Sequence, residues 1–497
     1  MACRPKPPGY WRGSHLCAVL AVVGLMLVDG CANYGNKAFR LGDGAKIETP
    51  EYDLRFIEAD DEGWLWSPKQ ASDATDAVTT SAAKVDTFVV LFVHGWHHSS
   101  RCCDDNIEGF KETLSRLHTQ LVKLNSRAAP AGTHPGTGPE NFRLIGIYVS
   151  WRGSSLPGFL DYVTFWGRKS AAQRTGEVDL REFLDRLNQV YRRHNEVAAA
   201  APAGSPNTFL GLVTIGHSFG GQVLLRSVSA ALEQELQSVT PTAGYLRGEA
   251  PAQPRPLNRP LHGFGDLVVL VNPAVESAAY QRLRFLSQEL TYTEEQTPVM
   301  LTVSADNDVP RRWPFRWGRI LGEWFTNKPY NENEHERESE RQALGIYSLN
   351  GLQITHRLQP LDPKASLMTV TKTHTPEPFC AQSGTCECQW LEWRNPVPTI
   401  RPDSLSWETG APKLDRYDFS QETIFNNVVL TPVPGATAYQ PFVVASAHPA
   451  IIDGHSGIFS GPFIDFLTSY IGFIEGKEYQ LTAEGRQSKH TSPQEHP

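Results

Sequence analysis

The sequence has few cations and no run of them. Lys and Arg number 46 in 497 residues against 54 Asp and Glu, for a net charge of −8. A nucleic-acid footprint needs clustered positive charge to displace phosphate counterions, so nucleic acid is not an expected partner. Apolar runs are also short: the longest nearly continuous one, Leu16 to Val28, has thirteen residues. That is short for a helix that spans a bilayer. Hydrophobic residues still make up 40% and aromatics 10%, which excludes a disordered or collagen-like chain. The length fits one oversized domain or two ordinary ones.

Residues 1–15 carry Arg4, Lys6 and Arg12 and no acid, and the apolar run follows at once. These are the two halves of an export signal. Val28-Asp29-Gly30-Cys31 then resembles the lipobox of bacterial lipoproteins, although Asp29 stands where a small or aliphatic residue is usual. The resemblance implies lipid on Cys31 after removal of residues 1–30, and Ala32 resembles the sorting rule for the bacterial outer membrane. The alternative is an uncleaved membrane anchor. Five cysteines remain: Cys102, Cys103, Cys380, Cys386 and Cys388. In an oxidising compartment they are expected to form disulfides, with the odd count leaving at least one unpaired or intermolecular. Their spacing is poor for zinc, and no metal site is expected.

Six short, wholly apolar runs punctuate the chain: Phe88–Val93, Leu144–Val149, Phe209–Ile215, Leu267–Val271, Val299–Val303 and Phe442–Ala445. Continuous apolarity suits strands buried on both faces, as in a parallel sheet covered by helices. Helical patterns lie between them. Over Asp105–Leu124 the apolar residues Ile107, Phe110, Leu114, Leu117 and Leu121 fall three and four apart, and Val178–Tyr191 and Gln222–Leu236 read alike. The expected fold class is therefore α/β, a mostly parallel central sheet with helices on both faces. Residues 126–141, 200–207 and 241–260 read as loops, and 329–345 as a solvated charge-dense run. Residues 373–440 are rich in Pro, Cys and aromatics without a clear period.

Gly216-His217-Ser218-Phe219-Gly220 has the form G-x-S-x-G. An apolar strand runs into it and a helical pattern leaves it, a context that exposes a strained serine at the strand's end. A nucleophilic serine also needs an oxyanion hole. One donor is the backbone N–H of Phe219. The other is assigned to Trp96, on the turn after the apolar strand ending at Val93-His94-Gly95. The general base is expected on the loop after the last strand, where Asp453-Gly454-His455-Ser456-Gly457 offers His455 in preference to His448. His94, His97, His98 and His217 read as packing or lining. The acid belongs after the penultimate strand, where Ser304-Ala305-Asp306-Asn307-Asp308 offers two aspartates that loop length does not separate.

This set resembles the α/β-hydrolase superfamily, and more narrowly an uncharacterised bacterial family of secreted, esterase-like hydrolases. Val93–Trp96, Ser150–Gly153, Phe165–Lys169, Asn272–Ala274, Phe315–Arg319, Thr355-His356 and Gly454-His455 carry the resemblance, over about 85–330 and 440–475. It implies an acid in an Asn-Asp pair about seven residues before a Phe, which favours Asp308, with Phe315 matching, over Asp306. It implies a triad of Ser218, His455 and Asp308, no cofactor, and a small-molecule or lipid-like acyl substrate. An acyltransferase or thioesterase on the same triad, and a non-catalytic envelope lipoprotein, are the alternatives. The organisation expected is a signal peptide (1–30), an N-terminal linker and entry segment (31–84), one hydrolase domain (85–480) with an insertion at about 373–440, and a polar tail (481–497). A bridge from Cys102 or Cys103 to Cys380, Cys386 or Cys388 would clamp that insertion beside the site.

Overall fold

The structure is a computed structural model that describes residues 38–128, 142–153, 165–200, 208–239, 254–312, 314–323, 334–346, 353–361 and 420–491. The signal sequence with Cys31, most of the insertion, and Cys380, Cys386 and Cys388 lie outside the described residues.

Eleven strands form one sheet. In chain order its first five are β1 (Lys46–Glu48), β2 (Asp53–Glu58), β3 (Asp86–Val93), β4 (Phe142–Ser150) and β5 (Leu210–His217). A two-residue strand, β6 (Arg255–Pro256), pairs with another, β8 (Leu290–Thr291), in a separate ribbon. The main sheet continues with β7 (Leu267–Val271), β9 (Met300–Ala305), β10 (His356–Pro360), β11 (Thr423–Phe425), β12 (Val428–Pro432) and β13 (Phe442–Ala447). The spatial order is β1-β2-β4-β3-β5-β7-β9-β13-β10-β12-β11. Every pairing from β2 to β10 is parallel, and antiparallel strands occur only at the two edges.

The apolar runs become the central strands because both faces of the sheet are covered. In β3, Val89, Leu91 and Val93 join one core cluster while Val90 and Phe92 join the other. The first face is covered by α1 (Pro68–Ala82), α4 (Asp179–Ala200), α5 (Phe219–Val239) and α6 (Ala278–Gln288), with α3 (Phe165–Thr175) against α5. The opposite face is covered by α2 (Asp105–Ala128) and α10 (Gly461–Thr491). Ile107, Phe110, Leu114, Leu117 and Leu121 of α2 are all buried, so the three-and-four spacing did mark the packed stripe. Three shorter helices follow β9: α7 (Val309–Arg312), α8 (Pro314–Glu323) and α9 (Glu334–Arg341). Among the described residues no helix is long and apolar enough to cross a membrane.

Two segments differ from the sequence reading. Residues 46–58, expected within a linker, form β1 and β2, and Leu54, Phe56 and Ile57 are fully buried. Residues 423–432, expected within the insertion, form the β11–β12 hairpin that widens the sheet beyond β10. Both lie towards a sheet edge, and polar residues interrupt their apolar runs: Asp53, Arg55 and Glu58 in β2, and Asn426, Asn427 and Thr431 in the hairpin. Strands before and after residues 362–419 share one sheet, so Ser218 and His455 are carried by the same sheet.

Candidate active site

Ser218 follows β5 at once and opens α5 with φ of 56°, a left-handed conformation that non-glycine residues rarely adopt. Its neighbours explain how that strain is held. A Cβ on Gly220 would lie 2.1 Å from the Val93 carbonyl oxygen, and one on Gly216 would lie 2.7 Å from that of Gly220. The two glycines of the motif therefore mark where β3, β5 and α5 converge. Backbone bonds complete the turn: Ser218 N–H donates to the Val271 carbonyl, and Ala274 N–H donates to that of Ser218.

The three residues of the expected triad come together. Ser218 Oγ is 2.7 Å from His455 Nε2, and His455 Nδ1 is 2.7 Å from Asp308 Oδ2. With Asp308 ionised, Nδ1 must carry the proton, which leaves Nε2 to accept from the serine hydroxyl. Burial works against the charge of Asp308, but the bond from His455 and the nearby Arg311 outweigh it and hold this carboxyl below its ordinary value. Asp306, the other candidate acid, is exposed and accepts from the hydroxyl of Ser446. One residue of loop separates the two carboxylates, and that residue turns Asp306 to solvent and Asp308 inward. His448 also stands apart from the serine: its Nδ1 accepts from Ala450 N–H.

The turn after β3 lies directly against Ser218. A Cβ on Gly95 would come within 2.9 Å of both Ser218 Cβ and His217 Nδ1. This brings the Gly95–Trp96 backbone beside Ser218. Phe219 is the first residue of α5, so its N–H has no acceptor within the helix and is placed for anion binding. His94 fastens the turn from behind. Its Nδ1–H donates to the Gly95 carbonyl at 2.8 Å, while Nε2 accepts from Trp151 N–H at 3.2 Å. Complete burial pushes His94 down to about 4, so it serves as a neutral strut. His97 N–H donates to the Gly153 carbonyl, and His98 pairs with Asp104 at 2.9 Å. Cys102 and Cys103, on the same loop, are both disulfide-bonded.

The loop that carries His455 is held by groups to which the sequence assigned no such role. Asn272, with φ of 45° after β7, donates through Nδ2 to the carbonyls of Gly454 (3.2 Å) and His455 (2.8 Å). His217 Nε2–H donates to the same His455 carbonyl at 3.1 Å, and burial keeps its imidazole well below the ordinary value. Asn307 accepts from Gly454 N–H and donates to Asp453. Behind the acid, Arg311 is fully buried, with a guanidinium nitrogen 3.4 Å from Asp308 Oδ2. An Asn directly after a buried strand was the one sequence signal for this support.

Trp96, Phe165 and Phe219 form an aromatic wall beside the serine, with Phe165 5.2 Å from Trp96 and 5.1 Å from Phe219 between ring centroids. The arrangement places a serine hydroxyl against an imidazole nitrogen that can accept its proton, with the first N–H of α5 and the Gly95–Trp96 backbone beside it. Among the described residues no group of three His, Cys, Asp or Glu side chains is arranged to hold a metal ion. No protein-family model, curated protein or solved structure matches the chain.

Proposed function

We propose that this protein is a serine hydrolase of the α/β-hydrolase type that cleaves a carboxylic ester or related acyl bond. Ser218 attacks the acyl carbon as His455 takes its proton. Asp308 fixes the imidazole tautomer and stabilises the imidazolium form, and the amides of Trp96 and Phe219 receive the oxyanion. His455 then protonates the leaving group, and water, activated by the same imidazole, releases the acyl group. The observation that carries this reading is the unbroken Ser218–His455–Asp308 chain at 2.7 Å per link, with its serine in a left-handed turn. The chain order Ser, Asp, His agrees with it. We further propose export and a lipid anchor on Cys31, which place the enzyme at the cell envelope beside lipid-like acyl esters.

The test is covalent labelling by a fluorophosphonate probe. Wild-type protein should label and hydrolyse nitrophenyl esters, and Ser218→Ala should do neither while keeping its fold. Folded wild-type protein that stays unlabelled would overturn the proposal. For the anchor, metabolic labelling with a palmitate analogue should be lost in Cys31→Ser, and equal labelling of both would reject it.

A further inference from the structure

The buried arginine behind the triad is not needed to complete it. The Arg311 side chain is 1% exposed and that of Asp308 0%, and they sit one helical turn apart at the start of α7. Its backbone N–H donates to Asp308 Oδ1 at 3.1 Å, so the acid is held from two sides. One guanidinium nitrogen reaches Asp308 Oδ2 and Asn272 Oδ1 at 3.4 and 3.3 Å. The other reaches Ser304 Oγ at 3.2 Å and the Leu344 carbonyl. The cation and the His455 imidazole therefore meet at the same carboxylate oxygen, Asp308 Oδ2.

Other titratable groups surround the pair. His217 ends β5, and His98 on the β3 loop is paired with Asp104. Asp306 and Arg312 on the β9 loop and Asp453 on the β13 loop are exposed, where water screens them. Beyond Leu344, Glu338 and Arg341 pair with each other. Arg311 is thus the buried cation in direct contact with the carboxylate.

We propose that Arg311 is a positioning residue that weakens proton binding by the Asp308–His455 pair and so sets the low-pH edge of activity. The inference rests on the hydrolase reading only for its catalytic consequence. A proton taken up by the pair turns a net negative charge neutral. A fixed cation beside that charge opposes the uptake, so the base stays free to lower pH than it would without Arg311.

The test combines charge-removing and charge-keeping variants, read by imidazole NMR titration of the full chain and by the pH profile of kcat/KM. Arg311→Gln should move the midpoint of the pair and the acid limb of the profile to higher pH by roughly one unit. Arg311→Lys should restore both to within a few tenths of a unit while lowering kcat, because the fork to Ser304 and Leu344 is lost. Equal midpoints in all three proteins would overturn the proposal and leave Arg311 a packing residue. The NMR midpoint is readable in protein that hydrolyses nothing, so failure of the hydrolase reading stays separate from failure of this one. Should Arg311→Gln not fold, Arg311→Met, apolar and of similar length, carries the same two readouts: it should raise the NMR midpoint in the same direction, and a midpoint equal to wild type would overturn the proposal.

Discussion

Asp306 and Asp308 are two residues apart, yet one is exposed and the other completely buried against His455. The sequence showed that an acid was needed in this loop, and only the resemblance chose between the two. Their surroundings are what differ, and the buried one's are built through Arg311 by Ser304 nearby and by Asn272 and Leu344, which are distant in sequence. Asp308→Asn should therefore lower kcat by about 10⁴-fold through the wrong imidazole tautomer, whereas Asp306→Asn should stay within a few fold. Nitrophenyl ester kinetics on both variants check this, and comparable losses would refute the assignment. Ser218 and His455 were legible because a motif and a glycine-flanked loop announced them. Arg311 was not, since in sequence it is one half of an Arg-Arg pair that looks as solvated as its neighbour. Asn272→Ala removes two of the bonds that hold the His455 loop and should cost about a hundredfold in kcat with KM little changed, because a small displacement of the base suffices.

At the scale of elements, the central strands were legible because burial on both faces writes a continuous apolar word. The edge strands β1, β11 and β12 were not, since half-buried antiparallel strands are short and interrupted by polar residues. The meeting of β3, β5 and α5 is where element packing and chemistry coincide. Gly220→Ala would drive a methyl group into the Val93 and His94 carbonyl oxygens, at 2.1 and 2.5 Å. Backbone there has no room to yield, so the variant should be recovered poorly and melt well below wild type in differential scanning fluorimetry. Gly95→Val attacks the same junction from the β3 side and should reduce kcat by about 10²–10³-fold, the scale of a lost oxyanion donor. Trp96→Ala leaves the backbone amide in place and should cost less. If the two variants were equally impaired, the Trp96 side chain rather than the turn would be the feature that matters.

The whole molecule carries opposing sets of buried acids. Beneath the site, at the other end of β5, Asp266 meets Glu475 and Glu478 of α10, and all three carboxyls are raised above their ordinary values, chiefly by burial. Tyr191 donates to Asp266, while Glu475 Oε2 is buried without a hydrogen-bond partner among the described residues. Acids with raised values in the fold contribute full stability below the unfolded carboxylate range, and that contribution is lost as pH rises towards the folded values. Asp104, Glu276 and Asp308 are lowered despite burial, through His98, Lys169 and His455 respectively. Their contribution is present above the unfolded carboxylate range and lost as pH falls. The melting temperature should thus peak between the two windows and decline on the alkaline side. Glu475→Gln, which fixes the uncharged form, should flatten the alkaline decline and gain about 2–4 °C at pH 9. An unchanged alkaline slope would show that this cluster does not govern it.

β13 lies between β9 and β10, so the strand synthesised last in the sheet is inserted between two that were made earlier. The Ser218 turn, the Gly95–Trp96 loop and Asp308 all precede β13 in the chain, and His455 comes only on the loop that follows it. On the proposed hydrolase reading, a chain that stopped short of β13 would hold Ser218 without its base, and competence would come with the last strand of the sheet to be made.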